Sequence, residues 1–111
     1  MEWHEQNLGA VTVFKPVGAL ISDAAAHFRG RAMEVAAANL GRIVLDGAGI
    51  PYVDSRGIEA LIEVTEELGL SGRSLKLCAI NPLIREVLEL TGWADAFEYF
   101  SDVNTGVRSF L

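Results

Sequence analysis

Apolar positions fall along the chain in alternating blocks, and the blocks predict a regular succession of elements. Glu2 to Leu8 is polar-rich and ends at Gly9. Ala10 to Val17 (Ala-Val-Thr-Val-Phe-Lys-Pro-Val) is rich in β-branched and apolar residues and reads as a strand. With Gly9 between them the two segments form a hairpin, which Gly18 closes. Ser22 followed by Asp23 supplies an N-cap and a first-turn acid, opening a helix of Ala, Phe28, Met33 and Val35 that runs to Asn39. Arg42 to Asp46 holds Ile43-Val44-Leu45, a continuous apolar run of the kind a strand buried on both faces carries. A second helix starts near Ser55 and stops at Gly69, a residue suited to a helix C-terminus. Leu75 to Ile80 is another strand, and Asn81-Pro82 then gives an N-cap and a first-turn proline for a third helix ending near Gly92. Glu98 to Phe100 is a short last strand. Ser101-Asp102 caps a final helix reaching Leu111, with Gly106 as its weak point.

The order β-β-α-β-α-β-α-β-α makes this an α/β protein, with a mixed central sheet of four to five strands and about four helices in two or three layers. Ile43 to Ala79 is a parallel strand–helix–strand unit of right-handed connection. Ile43, Val44, Leu45, Leu61, Val64, Leu75, Leu77, Ile84, Val87 and Leu88 are the expected core. The 111 residues suit one globular domain spanning 1–111.

Charge narrows the partners. Nine Lys and Arg against fifteen Asp and Glu leave a net charge of −6, which repels a phosphate backbone or an anionic membrane and favours a basic protein surface. Direct nucleic-acid binding is therefore not expected. No apolar run approaches the roughly 20 residues that span a bilayer, so membrane insertion is not expected, and the polar start Met1-Glu2-Trp3-His4-Glu5 is no signal peptide. One cysteine, Cys78, forms no internal disulfide, and the reading is a reducing, cytoplasmic setting.

A search for catalytic chemistry yields no constellation. His4 and His27 lack Cys, His or carboxylate neighbours at metal-ligand spacing, so neither metal nor cofactor is expected. Cys78 sits in the strand pattern Leu75-Lys76-Leu77-Cys78-Ala79 and reads as a buried small hydrophobe. Gly47-Ala48-Gly49 follows a strand without the third glycine or lysine of a phosphate-gripping loop. Trp3 and Trp93 read as packing residues. The chain is read as a non-catalytic protein.

The stretch Val44 to Ile58 differs from the rest. A buried strand ends at Asp46, a tight loop follows, and Ser55 falls at the head of a helix, where unpaired N–H groups and the dipole tolerate added negative charge. Either Asp54 or Ser55 caps that helix. At about 100° per residue, Gly57, Ala60, Leu61, Val64 and Leu68 share the side facing the sheet. Ser55, Glu59, Ile62, Glu63 and Glu66 fall on the other side, with Ile58 at the border. One hydroxyl, two isoleucines and an acidic stripe make a face suited to protein contact, and a phosphate on Ser55 would change its charge.

Ile43-Val44-Leu45-Asp46, then Tyr52-Val53-Asp54-Ser55-Arg56-Gly57-Ile58 and an amphipathic helix, resembles the STAS domain of bacterial anti-sigma-factor antagonists. Gly18-Ala19-Leu20, Leu77-Cys78-Ala79-Ile80-Asn81-Pro82, Leu90-Thr91-Gly92-Trp93 and Phe97 extend the resemblance over nearly the whole chain. It implies the STAS-like sandwich. It also implies a module that binds an anti-sigma factor, commonly one that is also a serine kinase, and so frees the sigma factor. The phosphorylated serine maps onto Ser55, phosphorylation releases the complex, and a phosphatase resets it. Asp54, Ser55, Arg56, Ile58, Glu59, Ile62, Glu63 and Glu66 are then the expected contact residues. The chain departs from the family pattern at Arg56, where a second serine or another small residue is usual. It departs also at Gly18-Ala19-Leu20-Ile21, which lacks the usual two acids. Two other readings stand beside this one: a STAS subunit of another assembly (a stress-signalling scaffold, a two-component output or a lipid-transport complex) without phospho-switching, and a small ligand-binding or enzymatic α/β domain.

Overall fold

The computed structural model describes residues 1–111. Strands β1 (Glu2–Leu8) and β2 (Val11–Val17) pair antiparallel, with Glu2 opposite Val17 and Leu8 opposite Val11. Gly9, at φ +63°, makes the tight connection between them. β3 (Ile43–Asp46), β4 (Leu75–Cys78) and β5 (Phe97–Phe100) then add in parallel, giving a five-stranded mixed sheet in the order β1-β2-β3-β4-β5. The helices are α1 (Ser22–Ala38), α2 (Ser55–Gly69), α3 (Pro82–Leu90) and α4 (Val103–Arg108). The expected α/β class, strand count and helix count are those observed.

That strand order dictates where the helices go. Each parallel connection steps the same way across the sheet, so connections of one hand place their helices on one face. α1, α2 and α3 do lie together, closing the main core over Phe14, Ile43, Leu45, Leu75 and Leu77 with Phe28, Leu61, Val64, Ile84 and Leu88. Side chains alternate along a strand, and the opposite face carries Val11, Val13, Val44 and Cys78, against which Val103, Val107 and Phe110 pack. α4 alone covers that side.

Four local expectations are corrected. Ser22 is not the N-cap of α1: it stands at φ +49°, and Ile21 occupies the cap position without a side-chain hydrogen bond. The strand expected through Ile80 stops at Cys78, because Ala79 turns to φ +54°. Val87 is 37% exposed instead of core. The short α3 meets the sheet through Ile84 and Leu88, and Val87 is rotated by about 100° from Leu88. The last helix ends at Arg108, and Gly106 is a contact point and no weakness: a Cβ there would lie 2.4 Å from the Cys78 sulfur. α4 can sit this close to β4 only because residue 106 has no side chain.

Lys76 is the one buried lysine, 8% exposed under α4. Its ammonium is 3.1 Å from a Glu98 carboxylate oxygen and 4.6 Å from the centre of the Phe110 ring. Ion pair and ring together replace the water it loses.

Leu61 is fully enclosed between α2 and the sheet. Leu61→Ala is expected to lower unfolding free energy by about 2–5 kcal/mol, through lost burial and the cavity left behind. Urea titration checks this, and an unchanged midpoint would refute the packing of α2 described here.

Candidate functional site at the start of α2

The four parallel strands deliver their C-terminal ends to one rim, and the β3–α2 loop is built there from backbone contacts. Asp46 ends β3 and its Oδ1 accepts from the Ala48 N–H at 3.1 Å, shaping a single turn of 3-10 helix over Gly47–Gly49. Gly49 lies so close to β2 that a Cβ would come 2.6 Å from the Pro16 carbonyl oxygen. Ile50 is buried and anchors the loop to the main core. Leu20, also buried, donates its N–H to the Tyr52 carbonyl at 3.1 Å and accepts from the Asp54 N–H at 3.2 Å. The segment before α2 is thus stitched to the segment before α1.

Asp54 completes the stitch. Its Oδ1 accepts from the Gly57 N–H at 2.9 Å and caps α2, while its Oδ2 accepts from the Ser22 N–H at 3.0 Å. Two orphan amides from two helix starts share one carboxylate. The Gly57 N–H contributes most to holding the Asp54 carboxyl below its ordinary value of 3.8. The Ser22 and Arg56 N–H groups and the Arg56 charge add to it, against a partial loss of solvent. Gly57 cannot be replaced cheaply, since a Cβ there would lie 2.1 Å from the Leu20 carbonyl oxygen.

Of the two candidates for capping, Asp54 therefore does it, and Ser55 occupies the first turn of α2, exposed and outside the cap. Arg56 is also exposed, its Nη1 4.0 Å from Asp23 of α1. Gly57, Ala60, Leu61, Val64 and Leu68 are all buried, as the periodicity predicts. The opposite side is less uniform. Glu59 and Glu66 are exposed with Ser55, whereas Ile58 and Ile62 are half-buried against the main core. Glu63 turns to α1 and pairs with Arg29. Between α1 and α2 lies a groove of about 220 Å³ whose lining includes Ser22, Arg29, Arg56, Glu59 and Glu63.

Beside this start lies an apolar cluster that sequence reasoning did not single out. Tyr52 is 58% and Leu83 67% exposed, and with Val53, Ile84 and Val87 they line a dimple of about 70 Å³. The signal was present in the spacing of Leu83 and Val87, one helical turn apart on α3.

The remaining chemistry-bearing groups are scattered. His4 lies 3.9 Å from Glu2 on the exposed edge strand, and His27 is exposed on α1. Three or more His, Cys, Asp or Glu side chains nowhere converge on one point. Burial, first of all, pushes the Cys78 thiol up to about 11, so it is protonated at neutral pH. No helix is long and apolar enough to cross a membrane.

Sheet order and helix placement define the class: a mixed α/β sandwich of five strands with three helices on one face and one on the other. The family model described as STAS domain matches residues 4–106, and the chain belongs to that family. It is 34% identical over 69 residues to BtrV of Bordetella bronchiseptica, a candidate anti-sigma factor antagonist, the match covering 62% of this chain and 60% of BtrV. Among solved structures, a candidate anti-sigma factor antagonist from Thermotoga maritima superposes with a TM-score of 0.86 at 16% identity, over 96% of this chain and 92% of that one. The Bacillus cell fate determinant SpoIIAA in its phosphorylated form gives 0.73 at 16% identity, over 99% and 100%. The fold also occurs inside the murine anion transporter Slc26a9, at TM-score 0.71 and 19% identity, over 95% of this chain and 18% of the transporter.

The depressed Asp54 carboxyl makes a pH-dependent contribution of known sign. Its charged form is favoured in the folded chain, so the stabilisation is present above its ordinary value of 3.8 and is lost as pH falls through the lower folded value. Asp54→Asn is expected to lower the melting temperature at neutral pH and to make its decline in acid shallower than in the parent. Glu5, Glu98 and Asp102 are also held low, so some acid dependence persists. Calorimetry from neutral pH down through the carboxylate range reads both effects. Parallel curves for parent and variant would refute the double cap.

Proposed function

We propose that this chain is an anti-sigma-factor antagonist in which residues 1–111 act as one binding domain in the cytoplasm. It sequesters an anti-sigma factor of the serine-kinase type and is released when that kinase phosphorylates Ser55; a phosphatase restores it. One observation carries the proposal: Ser55 is displayed on the first turn of α2 while Asp54 performs the capping. A phosphate can therefore come and go without dismantling the helix start, and the α2 dipole favours the added charge. The contact surface combines Asp54, Ser55, Arg56, Ile58, Glu59, Ile62, Glu63 and Glu66, and the apolar side chains of Tyr52, Leu83 and Val87 extend it towards α3. It recognises a partner surface that is basic with apolar anchors. The domain itself is substrate and ligand, with no catalytic step of its own.

A second reading is favoured by Arg56, which stands next to Ser55 and 4.0 Å from Asp23. In it the domain is a constitutive subunit of another assembly and Ser55 is never phosphorylated.

Ser55→Asp is expected to fold normally, since a carboxylate near an exposed helix N-terminus is favourable by about 0.3–1 kcal/mol. It should nevertheless bind the kinase-type partner more weakly by about 2–5 kcal/mol, roughly thirty- to several-thousand-fold, because the new charge must be desolvated beside Glu59. Ser55→Ala should bind and resist phosphorylation. Titration calorimetry with circular dichroism as the folding control decides it. Undiminished binding by Ser55→Asp would replace the switch with the constitutive reading.

A further inference from the structure

At the end of α2 far from Ser55, about 20 Å along the helix, the surface changes character. Leu40, just past α1, is 71% exposed, and Leu70, just past α2, is 82% exposed. Leu40 also stands at φ +57°, in the left-handed region where a bulky side chain is strained and where Gly or Asn is the usual occupant. Its side chain is largely in solvent, so packing within this chain does not offset that strain.

Between the two leucines, Met33, Ala36, Ala37 and Leu68 line a groove of about 270 Å³ with Leu40. A second groove shares Met33 and Glu67 with the first and continues past Glu66 to Leu70. Together they form one trough across the last turns of α1 and α2, apolar around Met33, Leu40 and Leu68 and charged where the second groove meets Glu66, Glu67 and the Arg29–Glu63 pair. Its acids are only partly compensated. Neither helix has a basic residue of its own in its last turn to offset its negative dipole end. Glu66 and Glu67 take part in no ion pair. The nearby bases already have partners: Arg29, at the edge of the second groove, with Glu63, Arg42 with the Ala10 carbonyl, and Arg73 over the Phe110 ring.

We propose that this trough is a second docking surface, and that it takes a basic amphipathic helix of a partner protein, with apolar side chains seated on Met33, Leu40 and Leu70 and Lys or Arg facing Glu66 and Glu67. Charge complementarity selects that occupant. A second copy of this chain would set acid against acid, and an anionic membrane would be repelled by the same groups. Glu66 borders both this trough and the Ser55 surface, but Met33, Leu40 and Leu70 lie on the far side of it from Ser55, so a helix seated on them need not touch the phosphorylation site.

The probe is a synthetic Leu/Lys peptide with its leucines at helical spacing, against a scrambled peptide of the same composition and charge. The expected result is shift changes in NMR spectra centred on the Met33, Leu40 and Leu70 methyl groups, and binding at least about tenfold tighter than the scrambled peptide. Leu40→Asn with Leu70→Ser should lose about tenfold or more, while its melting temperature holds, since Asn relieves the strained backbone. Glu66→Lys with Glu67→Lys should weaken binding more than Glu2→Lys with Glu86→Lys, which makes the same charge change elsewhere. Ser55→Asp should bind the peptide as the parent does, whatever the outcome for the kinase-type partner. Equal binding of both peptides, or shifts centred on the start of α2, overturns the proposal. So does self-association in the ultracentrifuge that Leu40→Asn abolishes, which would make the occupant a second copy.

Discussion

One carboxylate joins the two helices that define the rim of this protein. Asp54 caps α2 through Gly57 and holds the first amide of α1 through Ser22, across 32 residues of sequence. The bond to Ser22 accounts for a residue that local propensity would not place there, a serine at φ +49° with no side-chain cap in front of it. The close approach of Gly57 to Leu20 and the two backbone bonds between Leu20 and the 52–54 segment lock the same corner. The position of Ser55 follows from these contacts: with the cap supplied by its neighbour, its hydroxyl is left outward.

The two faces of the sheet differ in depth. Three helices close the main core, whereas the opposite face has only α4, a helix of six residues. That short helix is held by specific contacts in place of area. Asp102 caps it through Thr105 at 2.7 Å, Gly106 lets it approach Cys78, and Phe110 lies over the buried Lys76 ammonium. The Cys78 sulfur is buried for the same reason that α4 fits: it fills the contact between strand and helix.

Much of this architecture was legible in the sequence because its signals are local. The apolar runs Ile43–Leu45 and Leu75–Leu77 became central strands. The inward face of α2 is the one its periodicity marks, and Asn81 caps α3 through Leu83 as its place before Pro82 implies. What sequence reasoning missed depends on partners distant in the chain. Ser22 is set by Asp54, Gly106 by Cys78, and Lys76 by Glu98 and Phe110. Val87 sits in a helix whose contact with the sheet is narrower than its apolar pattern. At the site, the helix start and the outward Ser55 were readable from the motif. The second use of the Asp54 carboxylate on Ser22 and the diversion of Glu63 to Arg29 needed the packing of α1 on α2.

The strand order also bears on how the chain is assembled as it is synthesised. Every strand after the first pairs with the strand immediately before it in sequence. A chain emerging from the ribosome N-terminus first can therefore lay each strand on an edge already built, beginning with the β1–β2 hairpin, and no strand waits for a distant partner. The exposed growing edge is always the newest parallel strand, and it is covered by the next one to emerge. The helix starts are the exception: α1 is translated well before Asp54, so the strained turn at Ser22 gains its carboxylate only once the β3–α2 loop has left the tunnel. The α1–α2 corner can close from that point on, before β4 and β5 have been made.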